Sequence, residues 1–466
     1  MNTDTHTSED NSLYLNLAFD AWKQWSQLRA DRQRFMRFTY GDQWSDISLT
    51  PSGELLTDMQ WACRSGARPL TNNLIRRVVK TVVGVFRTEH PKSFNRRVRD
   101  ILRLNNITEL DSRAFEEFLI SGCAIQRVVP ERRPAGCGVW VDNVSPDRFF
   151  VNKFSDPRGL DIELIGMIHD MSTAELHSRF SMNNDQVRRN PERFTPADAM
   201  PLSFADKDFD PFFTPARGKH RVIELWTLES LRAVKGFDPV AGRFFLTHKR
   251  NEPDLIRINS RRELPQKLTY VDFHTVRWKC RWLAADGSLL DEYYSPFSHG
   301  MHPFAVKFYP LTDGKVHPFI EDIIDQQKYV NRMITLIDSI MHSSAKGVLL
   351  FPEDRKPTGY SWPEVADLWS DCRGVIPFKS STRTNDMPTQ ITTSGATADA
   401  HRLLATQLDL MNQISGVSPV LSGESVAANG SASLYDMLRE NSRAALADIF
   451  GAFSSFIEAR NNLLPS

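Results

Sequence analysis

Hydrophobic residues recur every three or four positions in several long stretches that contain no internal proline or glycine. This spacing places the apolar side chains on one face and predicts amphipathic α-helices. The first runs from Leu13 to Phe38 and is expected to end at Tyr40 and Gly41, because glycine readily adopts the left-handed conformation of a helix end. Shorter helices are predicted at 72–86 and 109–119, and Ser172 followed by Glu175 predicts a capped helix start.

The longest periodic stretches lie in the last third of the chain. One extends from His317 and Pro318 to residue 345, with Pro318 expected in the first helical turn, where its missing N–H has no partner to lose. Its apolar stripe comprises Ile320, Ile323, Ile324, Val330, Met333, Ile334, Ile337, Ile340 and Met341. Further helices are predicted at 396–415 and 432–462. The first of these two is expected to bury Leu403, Leu404, Leu408, Met411 and Ile414.

Between the helical stretches, short runs of β-branched and aromatic residues separated by Gly and Pro predict strands. Those at 124–129, 138–144, 149–151 and 163–169 are expected to form one small antiparallel sheet. Further strands are predicted at 222–226, 244–247, 268–282 and 304–309. A compact insertion is predicted at 348–395, with strands at 348–351 and 374–378 around a helical turn near 364–369. The predicted class is therefore α+β.

Length, composition and net charge limit the classes of protein to which the chain can belong. The chain has 466 residues, which suggests about three structural units, and 41% hydrophobic residues, enough to bury a core. The 57 Lys+Arg balance 57 Asp+Glu, and this zero net charge argues against a protein that coats DNA through many phosphate contacts. The polar N-terminus and the lack of an 18-residue apolar run predict a soluble protein, intracellular when made, with no membrane partner.

One segment departs from this balance of positive and negative charge. Residues 76–103 carry nine Lys/Arg against two Asp/Glu. Such a run is either a solvated helix face that pairs with acidic neighbours, or a basic surface that faces nucleic acid or an acidic partner subunit. The candidate residues for such a surface are Arg76, Arg77, Lys80, Arg96, Arg97 and Arg99.

The motifs of common enzymes and metal sites are absent from the sequence. It contains no Walker A, H-E-x-x-H, G-x-S-x-G or G-x-G-x-x-G pattern, and its five cysteines form no C-x2-C pair. Asp206, Asp208 and Asp210 invite a calcium interpretation, but Pro211 occupies the position where an EF-hand loop needs glycine. We therefore expect no catalytic residue, no metal and no cofactor.

Several local sequences resemble the portal proteins of tailed bacteriophages, particularly those of short-tailed phages. The segment from Arg32 to Trp44 resembles that family's "R…FY-G-x-QW" opening, and 66–84 resembles its "G-R-P…N-x-I…V…G" stretch. Residues 144–149 are similar to its "P-x-x-F" strand, and 326–332 to its "Q-x-x-x-N-R" helix. Residues 414–424 are similar to its "SGV-x-P…L-G" loop.

The resemblance implies the portal fold, with a mixed α/β wing at 1–316 and two long stem helices at 317–345 and 396–415. It implies a small α/β clip at 346–395, a tunnel loop at 416–431, and a last wing helix at 432–466 with at most a minimal crown. The tunnel-loop residues would be Gly416, Val417, Ser418, Pro419, Gly423, Glu424 and Gly430. Channel-facing candidates on the stem are Glu321, Asp325, Lys328, Arg332 and Asp338. Clip residues that would contact the terminase or an adaptor are Glu353, Asp354, Arg355, Lys356, Trp369 and Arg373.

The function implied is a ring, usually of twelve copies, at one capsid vertex of the virion. Double-stranded DNA would pass non-specifically through its channel during packaging and ejection. The implied partners are the terminase large subunit, head-completion and tail adaptor proteins, and the major capsid and scaffolding proteins. Two alternatives remain open at this point: a soluble nucleic-acid-binding protein that uses 76–103, and an enzyme without recognisable motifs.

Overall fold

The computed structural model of the chain describes residues 3–49, 53–64, 68–89, 96–133, 136–181, 187, 211–344, 348–353, 356–370, 376, 389–391, 396–421 and 432–465. The chain forms two compact units. Unit 1 contains Met1–Gln33, Pro91–Pro318 and Ile449–Ser466, and unit 2 contains Arg34–His90 and Phe319–Asp448. Among the described residues, helices make up 48% and strands 26%, which confirms the predicted α+β class.

The described helices, in chain order, are α1 Thr3–Gln24, α2 Ser26–Tyr40, α3 Asp58–Arg64, α4 Leu74–Glu89, α5 Arg96–Leu104, α6 Ile107–Ser121, α7 Thr173–Phe180, α8 Glu252–Ser260, α9 Glu321–Ser344, α10 Trp362–Ser370, α11 Ala396–Ser415 and α12 Ala432–Asn462. The described strands are β1 Ile47–Leu49, β2 Leu55–Thr57, β3 Cys123–Arg133, β4 Gly136–Asn143, β5 Phe149–Val151, β6 Leu164–Met171, β7 His220–Asp238, β8 Arg243–His248, β9 Thr269–Ala284, β10 Leu289–Tyr294, β11 Phe304–Phe308, β12 Leu311–Thr312, β13 Lys315–Val316, β14 Val348–Leu350 and β15 Thr389–Ile391.

Two helix predictions need correction. The single helix predicted at 13–38 is two helices, because the amide of Trp25 bonds to the carbonyl of Trp22, three residues back, and interrupts the α-helical ladder. The indole of Trp25 donates to Val151 O at 3.0 Å, which anchors the break in the core. The helix predicted from Pro318 begins at Glu321, because the amide of His317 bonds back to Pro310 O and keeps that segment in a turn.

The described part of unit 1 contains two main antiparallel sheets, beside the two-stranded sheet of β12 and β13. The larger has the strand order β10-β9-β7-β6-β5, with β8 added on β7, and the smaller has the order β11-β3-β4. The prediction that 124–129, 138–144, 149–151 and 163–169 form one sheet is therefore wrong, since β3 and β4 pair with β11 while β5 and β6 belong to the larger sheet. An alternating apolar pattern predicts a strand but does not predict the strand with which it pairs.

The core of unit 1 draws on both sheets. One buried cluster includes Trp226 and Trp282 from the larger sheet together with Ile125 and Phe304 from the smaller one. The opposite face of the larger sheet packs against α1 through residues that include Leu15. Gly122, with φ +70°, ends α6, where a Cβ would lie 2.3 Å from the side chain of Val316.

A buried ionic cluster links the two sheets of unit 1. Glu224 on β7 is 1% exposed and lies 2.9 Å from Arg127 of β3 and 2.8 Å from the His169 ring of β6. Burial favours the neutral carboxyl, but the charge of Arg127 and the hydrogen bond from His169 outweigh it and hold the pKa of Glu224 far below its usual range. Burial lowers the pKa of His169. A second buried pair joins Arg460, in the last turn of α12, to Asp111 at 2.6 Å.

Unit 2 is built around α9 and α11. These helices pack through Met333 and Ile337 of α9 against Ala400 and Leu404 of α11. The predicted stripe of α9 is confirmed at Ile323, Ile324 and Val330, which are buried, but Met341 is 54% exposed. On α11, Met411 is buried as predicted, whereas Leu403 and Ile414 are exposed, because α11 has a neighbour along only part of that face.

Candidate functional site

Two polar residues of α9, Gln327 and Asn331, lie in a buried hydrogen-bond network within unit 2. Gln327 is 0% and Asn331 1% exposed, and they are one helical turn apart on the same face. The Nε2 of Gln327 donates to Asn331 Oδ1 at 3.0 Å and to the carbonyl of Asn72 at 2.6 Å. Asn331 accepts from the amide of Asn72 at 3.0 Å and donates to Gln43 Oε1 at 2.6 Å.

This network also completes the start of α4. The Oε1 of Gln327 accepts from the amides of Leu74 and Ile75, at 2.9 and 3.2 Å. Asn73 Oδ1 accepts from the amide of Arg76 at 3.1 Å, as a helix-capping residue does. Three of the N–H groups that a helix start leaves without an intrahelical partner are therefore bonded.

The network joins three of the sequence segments on which the resemblance rests. Gln43 belongs to the 32–44 segment, Asn72 and Asn73 to 66–84, and Gln327 and Asn331 to 326–332. Gln43 also donates to Phe38 O at 2.8 Å, and Asn73 donates to Thr39 O at 2.8 Å, so both reach the end of α2. The motif spacing was visible in the sequence, but the contact among the three segments was not.

An ion-pair cluster lies beside this network on α9. Lys328 lies 2.6 Å from Asp46 and 3.4 Å from Asp58, and Arg332 lies 3.3 Å from Asp58. Asp46 also pairs with Arg34 at 2.9 Å. Burial favours the neutral form of Asp46, but hydrogen bonds from Lys328 and Arg34 outweigh it and lower the pKa of that carboxyl. No pattern in the sequence predicted Asp46 and Asp58 as partners of α9.

The five stem candidates therefore fall into two groups. Lys328, which is half-buried, and Arg332, whose side chain is 45% exposed, form ion pairs within unit 2. Glu321 and Asp325 are exposed, and Asp338 is half-buried. The first two turns of α9 thus present carboxylates, while its two cations are directed at Asp46 and Asp58.

The start of the predicted tunnel loop is packed on α12. Gly416 has φ +66°, and a Cβ there would lie 3.1 Å from that of Ala445. Val417 is buried, and Ser418 shares a 2.8 Å hydrogen bond with Ser442. An open depression of about 390 Å³ lies at this point. It is lined by Asp409, Asn412, Gln413, Gly416, Ser418, Pro419, Leu438, Asn441, Ser442 and Ala445. Gly423, Glu424 and Gly430 lie outside the described residues.

The predicted clip is described in part. The strand predicted at 348–351 is present as β14, and it pairs with β15, a strand that was not predicted. The predicted helical turn is α10. Glu353 is exposed, Trp369 is half-buried, and Lys356 lies 5.4 Å from the centre of the Trp362 ring. Asp354, Arg355 and Arg373, like most of 374–378, lie outside the described residues.

The basic run divides between two helices. Arg76, Arg77 and Lys80 are exposed on α4, and Arg99 is exposed on α5. The Arg76 guanidinium lies 5.4 Å from the centre of the Tyr40 ring. The backbones of Arg96 and Arg97 begin α5, and their side chains lie outside the described residues.

The described residues contain neither a cluster of metal-binding side chains nor a membrane-spanning helix. No group of three or more His, Cys, Asp or Glu side chains there is arranged to hold a metal ion, and Asp206, Asp208 and Asp210 lie outside the described part. No described helix combines the length and apolar composition needed to cross a membrane.

Comparison with known proteins supplies the family. No curated protein matches the chain. The family described as phage P22-like portal protein matches residues 16–463, nearly the whole chain, and its members are structural proteins that assemble as oligomeric rings in phage capsids. The match confirms the resemblance to portal proteins of the short-tailed phage type. The chain belongs to the phage P22-like portal protein family.

Proposed function

We propose that the chain is one subunit of a ring-shaped channel at a single capsid vertex, through which double-stranded DNA is packaged and later ejected. The family match over residues 16–463 carries this proposal. In it, residues 1–316 are the wing, 317–345 and 396–415 the stem helices, 346–395 the clip, 416–431 the tunnel loop, and 432–466 the last wing helix. The ring is a dodecamer, and the terminase, tail adaptors, major capsid and scaffolding proteins are its partners.

The charge on α9 supports a channel that lets DNA slide. Cations along a channel wall would bind phosphates and retard the duplex. Lys328 and Arg332 instead form ion pairs with Asp46 and Asp58. The exposed carboxylates Glu321 and Asp325 repel phosphate, so a stem that presents them to the channel binds DNA weakly.

The buried network supports α9 as a rigid element. A helix that bears load during packaging must keep its position relative to the segments around it. Gln327 and Asn331 bond α9 to backbone groups of Asn72, Leu74 and Ile75. Buried amide bonds of this kind fix one register, because any slip would leave polar groups without partners.

The mass of the purified protein tests the proposal. A portal assembles into a closed ring of about twelve subunits of 53.2 kDa each. A stable monomer that binds DNA tightly through 76–103 would support the nucleic-acid-binding alternative instead. A monomer with catalytic turnover would support the enzyme alternative.

A further inference from the structure

In the outer part of the larger sheet, α8 packs on the tip of one face, and no described helix packs on the other face. Beyond residue 228, β7 and β9 continue in unbroken antiparallel register, from Glu229 opposite Arg277 to Phe237 opposite Thr269, and β8 pairs on the other side of β7. One face packs against α8 through Val234 and Leu255, together with Leu268. Side chains alternate between the faces of a strand, so the neighbouring odd-numbered residues of β7 point to the other side.

That other side carries large apolar side chains in solvent. Phe244 is 76% and Leu246 49% exposed on β8, while Val271 is 66% and Phe273 42% exposed on β9. The register places Leu246 and Val271 on either side of Lys235, so these four residues form one continuous surface, here called the bare face. Exposed apolar patches of this kind mark interaction surfaces.

The bare face continues a surface that is already covered by a helix. Ile223 and Leu225, odd-numbered residues of the same strand β7, pack against Leu15 and Ala18 of α1. Helix α1 thus covers the inner end of this sheet face and leaves its outer end open. A second helix of the same kind would complete the covering.

The opposite side of α1 has the matching chemistry. Leu13 is 55% and Leu17 42% exposed, and with the exposed Asp20 they follow helical spacing along one side of α1, here called the outer face. The exposed Asp20 gives the outer face a carboxylate, and the exposed Lys235, between Leu246 and Val271, gives the bare face a cation. Each surface therefore combines exposed apolar side chains with a charge opposite to that of the other.

A ring also requires two different surfaces on each subunit. Cyclic assemblies larger than a dimer use heterologous contacts, in which one patch binds a different patch of the next copy. We propose that the bare face of one subunit binds the outer face of α1 in a second copy of this chain, the neighbour in the ring. Helix α1 then lies between its own sheet and the sheet of its neighbour. This inference rests on the proposed ring.

Disulfide cross-linking tests the contact directly. In a background with Cys63, Cys137 and Cys372 changed to Ser, one preparation carries Leu17→Cys and another carries Val271→Cys. The proposal predicts that mixed assemblies, when oxidised, give cross-linked dimers that contain one chain of each kind. Chains carrying both substitutions should give a ladder of multimers. Leu160→Cys, 72% exposed and on neither face, is the matched control for Val271→Cys and should give no cross-link with Leu17→Cys.

A charge substitution gives a second measurement. Val271→Asp places a carboxylate opposite the acidic α1 and should raise the protein concentration needed for ring formation at least 10-fold. Leu264→Asp is the control. Leu264 is 82% exposed and lies between α8 and β9, outside the three strands that form the bare face, so this substitution should leave the concentration needed for ring formation unchanged. If the unsubstituted protein forms rings while the cysteine pair does not cross-link and Val271→Asp assembles normally, the inference is overturned and the portal function stands. If the unsubstituted protein forms no ring, the proposed function itself fails.

Discussion

The side chain of Gln327 and the backbone of Asn72 are joined by a 2.6 Å hydrogen bond, although the two residues are 255 positions apart in the chain. The same side chain accepts from the first two amides of α4. The buried side-chain amide of Gln327 thus bonds both to donors and to an acceptor of a distant segment. These bonds join α9 to the start of α4.

The first prediction concerns this amide. Gln327→Leu keeps roughly the volume of the side chain but removes its hydrogen bonds to the amides of Leu74 and Ile75, to the carbonyl of Asn72 and to Asn331, so the free energy of unfolding should fall by about 2–3 kcal/mol. Thermal unfolding at a fixed protein concentration measures the change. Gln413→Leu, at an exposed position of α11, is the control and should shift stability by less than about 0.5 kcal/mol. Equal melting temperatures for the two variants would show that the network does not stabilise the fold.

The second prediction concerns pH. Burial lowers the pKa of His302 from 6.5 to about 3, and its Nδ1 accepts from the amide of Phe304 at 3.2 Å. Below pH 6.5 the unfolded chain protonates this histidine while the folded chain does not, so stability falls as the pH falls. The contribution of His302 between pH 7 and pH 5 is about 2 kcal/mol.

His302→Asn keeps an acceptor for Phe304 and removes the titration. The variant should therefore lose less stability than the unsubstituted protein when the pH is lowered from 7 to 5, as measured by denaturant unfolding at each pH. Measurement at pH 8 corrects for any loss that does not depend on protonation. Parallel pH profiles for the two proteins would contradict the assignment.

The sequence predicted some elements of this fold closely and others poorly, for physical reasons. Helices α11 and α12 have the predicted ends, because small and polar residues on both sides interrupt a clear helical period. The break at Trp25 could not be predicted, because the indole bonds to Val151, 126 residues away. Strand β7 was predicted at 222–226 but extends to Asp238, since its outer half is exposed on one side and lacks a strong apolar alternation.

The same distinction applies to the candidate site. The Q-x-x-x-N spacing placed Gln327 and Asn331 on one face of a helix, but their partners lie some 250 positions earlier. Lys328 and Arg332 are channel-facing candidates because the resemblance implies a stem helix here and both residues lie outside its apolar stripe. Their pairing with Asp46 and Asp58 depends on tertiary contacts that periodicity does not encode.

The third prediction concerns the charge of the stem. Asp325→Lys replaces an exposed carboxylate of α9 with a cation, repeated in every subunit of the ring. Binding of phosphate by these lysines should slow DNA translocation, and the effect should weaken as salt is raised. A packaging assay with the assembled ring measures the rate. Glu163→Lys, at an exposed position of unit 1, is the control, and equal rates for the two variants would argue against a channel-facing Asp325.

The fourth prediction concerns the tunnel loop. Deleting residues 419–430 should leave the ring intact, because the packing of Val417 and the Ser418–Ser442 hydrogen bond are retained. DNA packaging or retention should be impaired. Replacing the same residues with a Gly/Ser linker of equal length separates the role of the loop from that of the connection. Normal packaging and retention in the deletion variant would show that this segment does not act on DNA.

Negative-stain electron microscopy of the purified protein, with native mass measurement on the same sample, tests the central claim most directly. The account predicts a ring with a central hole and a mass near twelve times 53.2 kDa. A homogeneous 53.2 kDa monomer at high protein concentration would contradict it.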